Sequence, residues 1–260
     1  MTKIVTRVGV VRLRLNADKL LAARGVKCDD ACSPTSRNRP TRMSDAYLQA
    51  ILSREAVDTG PNSPVRGVQG ILAPLLAEWA NVYLISVSPS GSFAKGTANH
   101  SGTDIDLFIS LSENTVETLQ QIYETLFTRL AQAGYTPKRQ NVSINIRVNG
   151  YDVDLVPAKR QNALSNDHSL YRRKANTWTK TNVQTHITTV WAGGRQQESR
   201  LIKLWRDQKG LDSPSFYVEL AVIEALRNTY HATLSGRVSV APAQATALCR
   251  ENISTRSSAR

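Results

Sequence analysis

The residues whose types and spacing suggest chemistry lie between Ser88 and Leu111. Asp104 and Asp106 stand two residues apart, at the start of the apolar run Leu107 to Leu111. On a strand, both carboxylates would therefore point to the same face. Two neighbouring carboxylates repel each other unless a cation lies between them. Because Mg²⁺ is typically held by one or two carboxylates together with substrate phosphates, this pair predicts a site for a hard divalent cation.

A turn at Gly91-Ser92 precedes the two carboxylates and follows the strand-like run Val82 to Val87. A residue without a side chain lets backbone N–H groups approach an anion, and the serine hydroxyl adds a donor. Taken alone, this motif could be an ordinary turn and the carboxylate pair a solvated strand edge. A phosphate cradle and a metal site within fifteen residues together predict a nucleoside triphosphate as ligand.

A third carboxylate lies on a second strand-like run, Tyr151 to Val156. The dipeptide Asn149-Gly150 separates this run from the alternating segment Asn141 to Val148, and Asn-Gly between alternating runs predicts a hairpin. Asp152 and Asp154 share one face of the second strand. Geometry alone leaves either of them open as the third metal ligand.

This ordered set of motifs resembles the DNA polymerase β-like nucleotidyltransferase superfamily. The motifs are Gly-Ser at 91–92, Gly-Thr at 96–97, Thr-Asp-Ile-Asp at 103–106 and Val-Asp-Leu-Val-Pro at 153–157. Within the superfamily, the chain is most similar to the branch of class I CCA-adding enzymes, 2′-5′-oligoadenylate synthases and bacterial synthases of cyclic oligonucleotide signals. The similarity extends from about Met43 to about Arg227.

The resemblance implies a role for each motif. Asp104, Asp106 and Asp154 would be the catalytic, metal-binding triad, with two Mg²⁺ ions as cofactors and Mn²⁺ as an alternative. Asp154 is preferred to Asp152 because the family has an acid just before Leu-Val-Pro. Gly91 and Ser92 would hold the triphosphate of the donor.

Two further residues are assigned by similarity in the second half of the chain. Lys203, in the segment 200–205, resembles the helix lysine that reaches the donor phosphates, and its alternative is an exposed helix lysine. In the segment 215–220, Tyr217 or its neighbour Phe216 could stack on the donor base, and either could instead be a plain core residue. We take Tyr217 as the candidate.

The fold class expected is α+β: a mixed sheet flanked by helices, with a reduced helical C-terminal part. Apolar spacing predicts helices over the ranges 46–54, 65–79, 115–134, 184–191, 195–209 and 213–226, with a short helix or turn over 92–97. Strands are predicted over the ranges 82–87, 104–111, 141–148 and 151–156.

Composition divides the chain into four parts: a poorly ordered basic extension over 1–42, a catalytic domain over 43–165, a helical part over 166–228 and an irregular or truncated tail over 229–260. The extension carries ten Lys and Arg against three Asp, which is +7 of the formal net charge of +12. The catalytic part is therefore near neutral, so the overall charge says little about its substrate. Cys28 and Cys32 form a C-x₃-C pair without a second ligand pair, and Cys249 lies alone near the other end, so the cysteines predict neither disulfides nor a zinc site.

The function expected is transfer of a nucleoside monophosphate from a nucleoside triphosphate to a hydroxyl of another nucleotide, as in synthases of antiviral second messengers. One alternative is a tRNA 3′-end, CCA-adding type of enzyme with an RNA acceptor. Another is a non-catalytic nucleotide-binding module, which the intact triad disfavours. Without an apolar run long enough to span a bilayer or a recognisable secretion signal, no membrane partner is expected and the location expected is cytoplasmic.

Overall fold

The computed structural model of this chain describes residues 44–102, 104–228 and 231–239. These residues fall within one compact unit, Met43–Arg260. The predicted extension over 1–42 and most of the predicted tail lie outside the described residues. No helix among the described residues is both long and apolar enough to cross a membrane.

One mixed sheet forms the centre of the described structure. Its strands are β1 (Leu84–Pro89), β2 (Ile105–Leu111), β3 (Lys138–Arg139), β4 (Ile144–Val148), β5 (Tyr151–Arg160), β6 (His168–Arg172) and β7 (Thr177–Thr181). The order across the sheet is β1-β2-β5-β4-β3, and β6 pairs with the end of β5 and with β7. Strands β2 and β5 run parallel, whereas the other pairs of the described strands are antiparallel.

Helices flank this sheet, as the sequence predicted. They are α1 (Asp45–Arg54), α2 (Pro64–Ala80), α3 (Gly91–Ala94), α4 (Leu119–Gln132), α5 (Val183–Gly193), α6 (Gln196–Gln208) and α7 (Ser215–Ala225). Residues 234–239 are also helical. The predicted helix start near Ser44 is confirmed, because the Ser44 hydroxyl accepts a hydrogen bond from the Tyr47 N–H and caps α1.

Two apolar clusters hold these elements together. The larger one packs β2, β4 and β5 against α2 and α4, with Leu72, Leu107, Tyr123 and Leu155 fully buried in it. The second cluster joins α1 to α6, α7 and residues 234–239. The first described helix therefore packs against the last ones, although the strands of the sheet lie between them in the sequence.

The structure corrects several of the sequence-based boundaries; β1, for example, runs over Leu84–Pro89 and not over 82–87, and β4 begins at Ile144 and not at Asn141. Helix α4 begins at Leu119 and not at Thr115, because Thr118 and Gln121 form a reciprocal capping box that sets the first turn. Val116, predicted on its apolar face, is exposed. Strand β5 continues beyond Val156 to Arg160, which allows its end to pair with β6.

The β6–β7 hairpin was not predicted. No strand or helix was predicted between the strand over 151–156 and the helix over 184–191. Strand β7 has no fully buried residue, and Trp178 is exposed. A strand that buries no face lacks the period of two on which sequence-based recognition depends.

Candidate active site

Asp106 and Asp154 are neighbours across the sheet. Asp106 lies on β2 and Asp154 on the parallel strand β5, and the two residues are direct register partners. The residues on either side of each, such as Leu107 and Leu155, are buried in the core on the opposite face. The alternation along both strands therefore places the two carboxylates side by side above the core. Asp104 lies two residues before Asp106, just ahead of β2.

Burial and neighbouring carboxylates raise the pKa values of Asp104 and Asp106. Burial, together with the charges of Asp154 and Asp104, raises the pKa of Asp106 to about 6, although Lys95 and Lys203 act in the opposite direction. Burial and the charges of Asp154 and Asp152 also raise the pKa of Asp104. This cluster of like charges would be relieved by a cation.

Asp154 is held by polar side chains of the neighbouring segment. Its Oδ1 accepts hydrogen bonds from Asn145 Nδ2 at 2.8 Å and from Gln140 Nε2 at 3.0 Å, and Ser143 Oγ lies 3.4 Å from its Oδ2. These contacts orient the carboxylate, and Oδ2 accepts fewer hydrogen bonds than Oδ1. Asp152, the alternative ligand, is exposed and pairs in register with Arg147 at the edge of the hairpin.

Asn145 could have been found from the sequence. The two-residue turn Asn149-Gly150 pairs Val148 with Tyr151, and counting back along the antiparallel ladder puts Asn145 opposite Asp154. Both turn residues have positive φ angles, as this hairpin requires. No comparable signal pointed to Gln140 or Ser143, which come from the irregular segment before β4.

The Gly91-Ser92 turn lies directly against Asp106. The backbone N–H of Ser90 donates to the carbonyl of Asp106 at 2.8 Å. Gly91 has a φ of +56°, and a Cβ at this position would come within 1.7 Å of Asp106 Oδ2. Only glycine lets the turn approach this closely, so the predicted phosphate cradle and the predicted metal site adjoin each other.

Lys203 occupies the interior and is not the exposed helix lysine of the alternative interpretation. It is 5% exposed, and its Nζ donates to Glu219 Oε1 at 2.9 Å, to the carbonyl of Thr97 at 3.1 Å and to Thr97 Oγ1 at 3.2 Å. Lys95 Nζ donates to Glu219 Oε2 at 2.5 Å. Two ammonium groups therefore share one buried carboxylate close to Asp106. The sequence analysis assigned no role to Lys95, Thr97 or Glu219.

The two aromatic candidates lie in different surroundings. The ring of Phe216 lies 4.4 Å from that of His186, and Lys95 Nζ lies over it at 4.9 Å. Tyr217, at the start of α7, is exposed. Base stacking by Tyr217 stays a prediction, whereas the ring of Phe216 packs against Lys95.

Comparison with known proteins finds relatives of one kind. No protein-family model matches the sequence. Over 173 residues the chain is 27% identical to a cyclic AMP-AMP-AMP synthase of Escherichia coli (strain MS 115-1), and the match covers 61% of this chain and 54% of that protein. The chain therefore spans about half the length of this curated relative.

Two solved structures are similar along most of the chain. The structure of E. coli MS115-1 CdnC with ATP has a TM-score of 0.59 at 23% identity, and the match covers 73% of this chain and 67% of that one. The structure of the Elizabethkingia meningoseptica CdnE cyclic dinucleotide synthase with GTP and Apcpp has a TM-score of 0.62 at 13% identity, covering 82% and 86%.

The chain has the polymerase β-like nucleotidyltransferase fold.

The fold class and the family resemblance predicted from the motifs are thus confirmed. Within this nucleotidyltransferase fold, Asp106 lies beside Asp154 and against Gly91, and Asp104 lies two residues before Asp106. Among the described residues, no three His, Cys, Asp or Glu side chains are grouped as a ready-made metal cage. The charge on the carboxylates and their oxygen donors nevertheless fit Mg²⁺, which commonly takes its remaining ligands from substrate phosphates and water.

Proposed function

We propose that this chain moves a nucleoside monophosphate from a nucleoside triphosphate to a hydroxyl of another nucleotide, making a linear or cyclic oligonucleotide signal. The observation that carries the proposal is the register pairing of Asp106 with Asp154 directly beside the Gly91-Ser92 turn. The similarity to a cyclic AMP-AMP-AMP synthase supports it. Signalling in antiviral defence, which the resemblance of the motifs to the family implies, is part of this proposal.

In this proposal Asp104, Asp106 and Asp154 hold two Mg²⁺ ions, with Mn²⁺ as an alternative. Such ions, when bound, neutralise charge on the transferred and leaving phosphates and increase the acidity of the acceptor hydroxyl. The raised pKa values of Asp104 and Asp106 support this assignment, because their repulsion would be relieved by cations.

The chain's own groups orient the reactants. Gly91 and Ser92 offer backbone N–H groups and a hydroxyl to the donor triphosphate. Asn145 and Gln140 hold Oδ1 of Asp154, so Oδ2 is the oxygen placed to accept the proton of the acceptor hydroxyl. Catalysis then rests mainly on positioning and on charge stabilisation.

The acceptor in this proposal is a nucleotide and not a tRNA. The relatives found by comparison are cyclic oligonucleotide synthases, and they do not support the CCA-adding alternative. Among the basic residues between Lys138 and Lys180, Arg139 pairs with Glu124 and Lys180 with Asp167. A continuous phosphate track is not part of the proposal.

The test is incubation of the purified chain with each labelled nucleoside triphosphate and with mixtures of them, in Mg²⁺ or Mn²⁺, with and without tRNA. We expect a phosphatase-resistant oligonucleotide in the absence of tRNA, and none from the Asp104→Asn, Asp106→Asn double variant. Product formation only on tRNA would favour the CCA-adding alternative. Nucleotide binding without any metal-dependent product would favour the non-catalytic nucleotide-binding module.

A further inference from the structure

Four consecutive residues after the phosphate cradle are tied to the helical part of the chain. This segment, 94–97, leads from α3 toward Asp104 and Asp106. Its own backbone turns back on the cradle, because the N–H of Thr97 donates to the carbonyl of Ser92 at 2.9 Å. The position of Ser92 therefore depends on the position of Thr97.

The first tie is made by Trp191 on α5. Its Nε1–H donates to the carbonyl of Ala94 at 2.9 Å. Its ring also lies against Gly96, where an added Cβ would come within 3.0 Å of the ring carbon Cζ2. Although more than half exposed, Trp191 thus covers the end of α3 and the residue that follows it.

The second tie is made by Glu219 on α7, which is fully buried. Its Oε2 accepts from Lys95 Nζ at 2.5 Å, and its Oε1 accepts from Thr97 Oγ1 at 2.5 Å and from Lys203 Nζ at 2.9 Å. Although burial acts to raise it, the pKa of Glu219 is held below its usual value by Lys203 and Lys95. The carboxylate is therefore ionised, and both of its oxygens accept hydrogen bonds.

Charge makes Glu219 irreplaceable in this cluster. The structure places two ammonium groups within hydrogen-bonding distance of one anion, so the loss of that anion would leave two buried cations facing each other. The Nζ of Lys203 also donates hydrogen bonds to the carbonyl and to the hydroxyl of Thr97. The cluster can therefore keep its shape only while Glu219 is ionised.

We propose that Glu219 is a positioning residue for the phosphate cradle, acting through Lys95, Thr97 and Lys203 to fix the segment 94–97 and with it Ser92. The role of the cradle rests on the proposed function, whereas the mechanical role of Glu219 does not. By this inference the helical part sets the geometry of the donor site, although Glu219 itself does not contact the donor.

The test compares Glu219→Gln with Trp191→Phe and Glu224→Gln. Glu224→Gln is the matched control, because Glu224 lies on the same helix but pairs with Arg227 at the surface. Trp191→Phe removes the donor to Ala94 and the ring atoms Cζ2 and Cη2 that lie against Gly96, so it tests the same segment should Glu219→Gln fail to fold. Amide hydrogen exchange is measured without nucleotide or metal, and KM and kcat for the nucleoside triphosphate are measured with both.

We expect exchange over residues 92–99 to become about tenfold faster in Glu219→Gln and less so in Trp191→Phe, with no change in Glu224→Gln. KM for the nucleotide should rise roughly tenfold in Glu219→Gln, in the range seen when supporting residues of a site are lost, with a smaller effect on kcat. Unchanged exchange over 92–99 in a folded Glu219→Gln, or in Trp191→Phe if Glu219→Gln does not fold, would overturn the inference. So would faster exchange with an unchanged KM. A wild-type chain without any turnover would instead refute the proposed function, and the exchange data would still decide the role of Glu219.

Discussion

The Asp106 carboxylate occupies the space that a side chain at position 91 would need. The backbone of the turn touches the carboxylate so closely that a methyl group cannot be added without moving one of them. The positive φ of Gly91 adds a second constraint, because side chains rarely adopt that conformation. Clash and strain can be separated experimentally, since Gly210 has the same conformation but open space around it.

We expect Gly91→Ala to lower the free energy of unfolding by about 1–3 kcal/mol. Transfer should fall by roughly a hundredfold or more, because the Asp106 carboxylate must be displaced. In the control Gly210→Ala, the strain alone should cost about 1 kcal/mol and leave transfer intact. Thermal unfolding and single-turnover rates measure the two effects. Equal activity of the two variants would show that the close approach at Gly91 has no bearing on the site.

The two carboxylates at the start of β5 are a matched pair for mutation. Asp154→Asn should reduce transfer by more than about a hundredfold, since even partners of metal ligands are worth 10–100-fold. Asp152→Asn, at the exposed position, should retain most activity. Folding is checked by circular dichroism. Loss of activity in Asp152→Asn with an active Asp154→Asn would show that the third ligand is Asp152.

Asp106 should make the metal-free chain less stable as pH rises. Its folded pKa of about 6 lies above the ordinary value of 3.8, so between these values the folded state binds more protons than the unfolded state. The protonated Asp106 carboxyl therefore contributes to the free energy of unfolding below about pH 4. This contribution, on the order of 3 kcal/mol, is lost as the pH rises through 6.

Asp106→Asn should therefore melt at a higher temperature than the wild type at pH 7 in EDTA, and the difference should vanish near pH 4. Mg²⁺ with nucleotide should reverse the order at pH 7, because only the wild type gains from binding. Asp152→Asn serves as the exposed control and should show a much smaller gain. A wild-type melting temperature that rises steadily from pH 4 to 7, with no gain in Asp106→Asn, would contradict the prediction.

Among the elements, the β4–β5 hairpin determines which side chain faces Asp154. Its two-residue turn sets the register that puts Asn145 opposite Asp154. Gly150 has a φ of +85° with open space around it, so Gly150→Ala would introduce strain without a clash. We expect a loss of about 1 kcal/mol in the free energy of unfolding, measured by urea denaturation.

The control for the hairpin is Gly102→Ala, which has open space and an ordinary φ. It should change stability by only a few tenths of a kcal/mol. Because most of β4 and β5 is buried or paired, the register should persist in Gly150→Ala and transfer should be largely retained. A collapse of activity in Gly150→Ala would show that the turn residues themselves hold the register.

Strand β2 and the hairpin were predictable because local pattern and turn chemistry agree there: an apolar run follows Asp106, and Asn149-Gly150 separates two alternating segments. The start of α4 was predicted wrongly because apolar spacing outweighed the capping residue Thr118. The role of Glu219 could not be predicted, since its partners Lys95 and Thr97 lie more than a hundred residues away. Sequence pattern reports local preference and says little about which buried charge meets which.

For the whole molecule, charge is distributed very unevenly along the chain. Residues 1–42 carry +7 of the net +12. Removing this segment should leave turnover of free nucleotides nearly unchanged, because that reaction requires the cleft and no long phosphate track. The measurement is product formation by the full chain and by the chain beginning at Met43, over a series of salt concentrations.

A tRNA-dependent enzyme would behave differently. Deletion of the basic segment would weaken acceptor binding and flatten its salt dependence, since each lost phosphate contact removes about 0.9 from the slope of log affinity against log salt. Salt-sensitive extension of tRNA that disappears on deletion would therefore contradict the nucleotide-acceptor proposal. Salt-insensitive turnover that survives the deletion would agree with it.

The parallel pairing of β2 with β5 has a consequence for the order in which the chain folds. Asp106 and Asp154 are 48 positions apart, and α4, β3 and β4 must be traversed before they meet. The antiparallel hairpins close short loops, whereas this crossover closes a long one and is entropically slower to form. A partly folded chain that has its hairpins but lacks this pairing contains all the carboxylates and no site. Gain of metal-dependent nucleotide binding during refolding should therefore coincide with the last step of sheet assembly and lag behind the appearance of helix and hairpin signals.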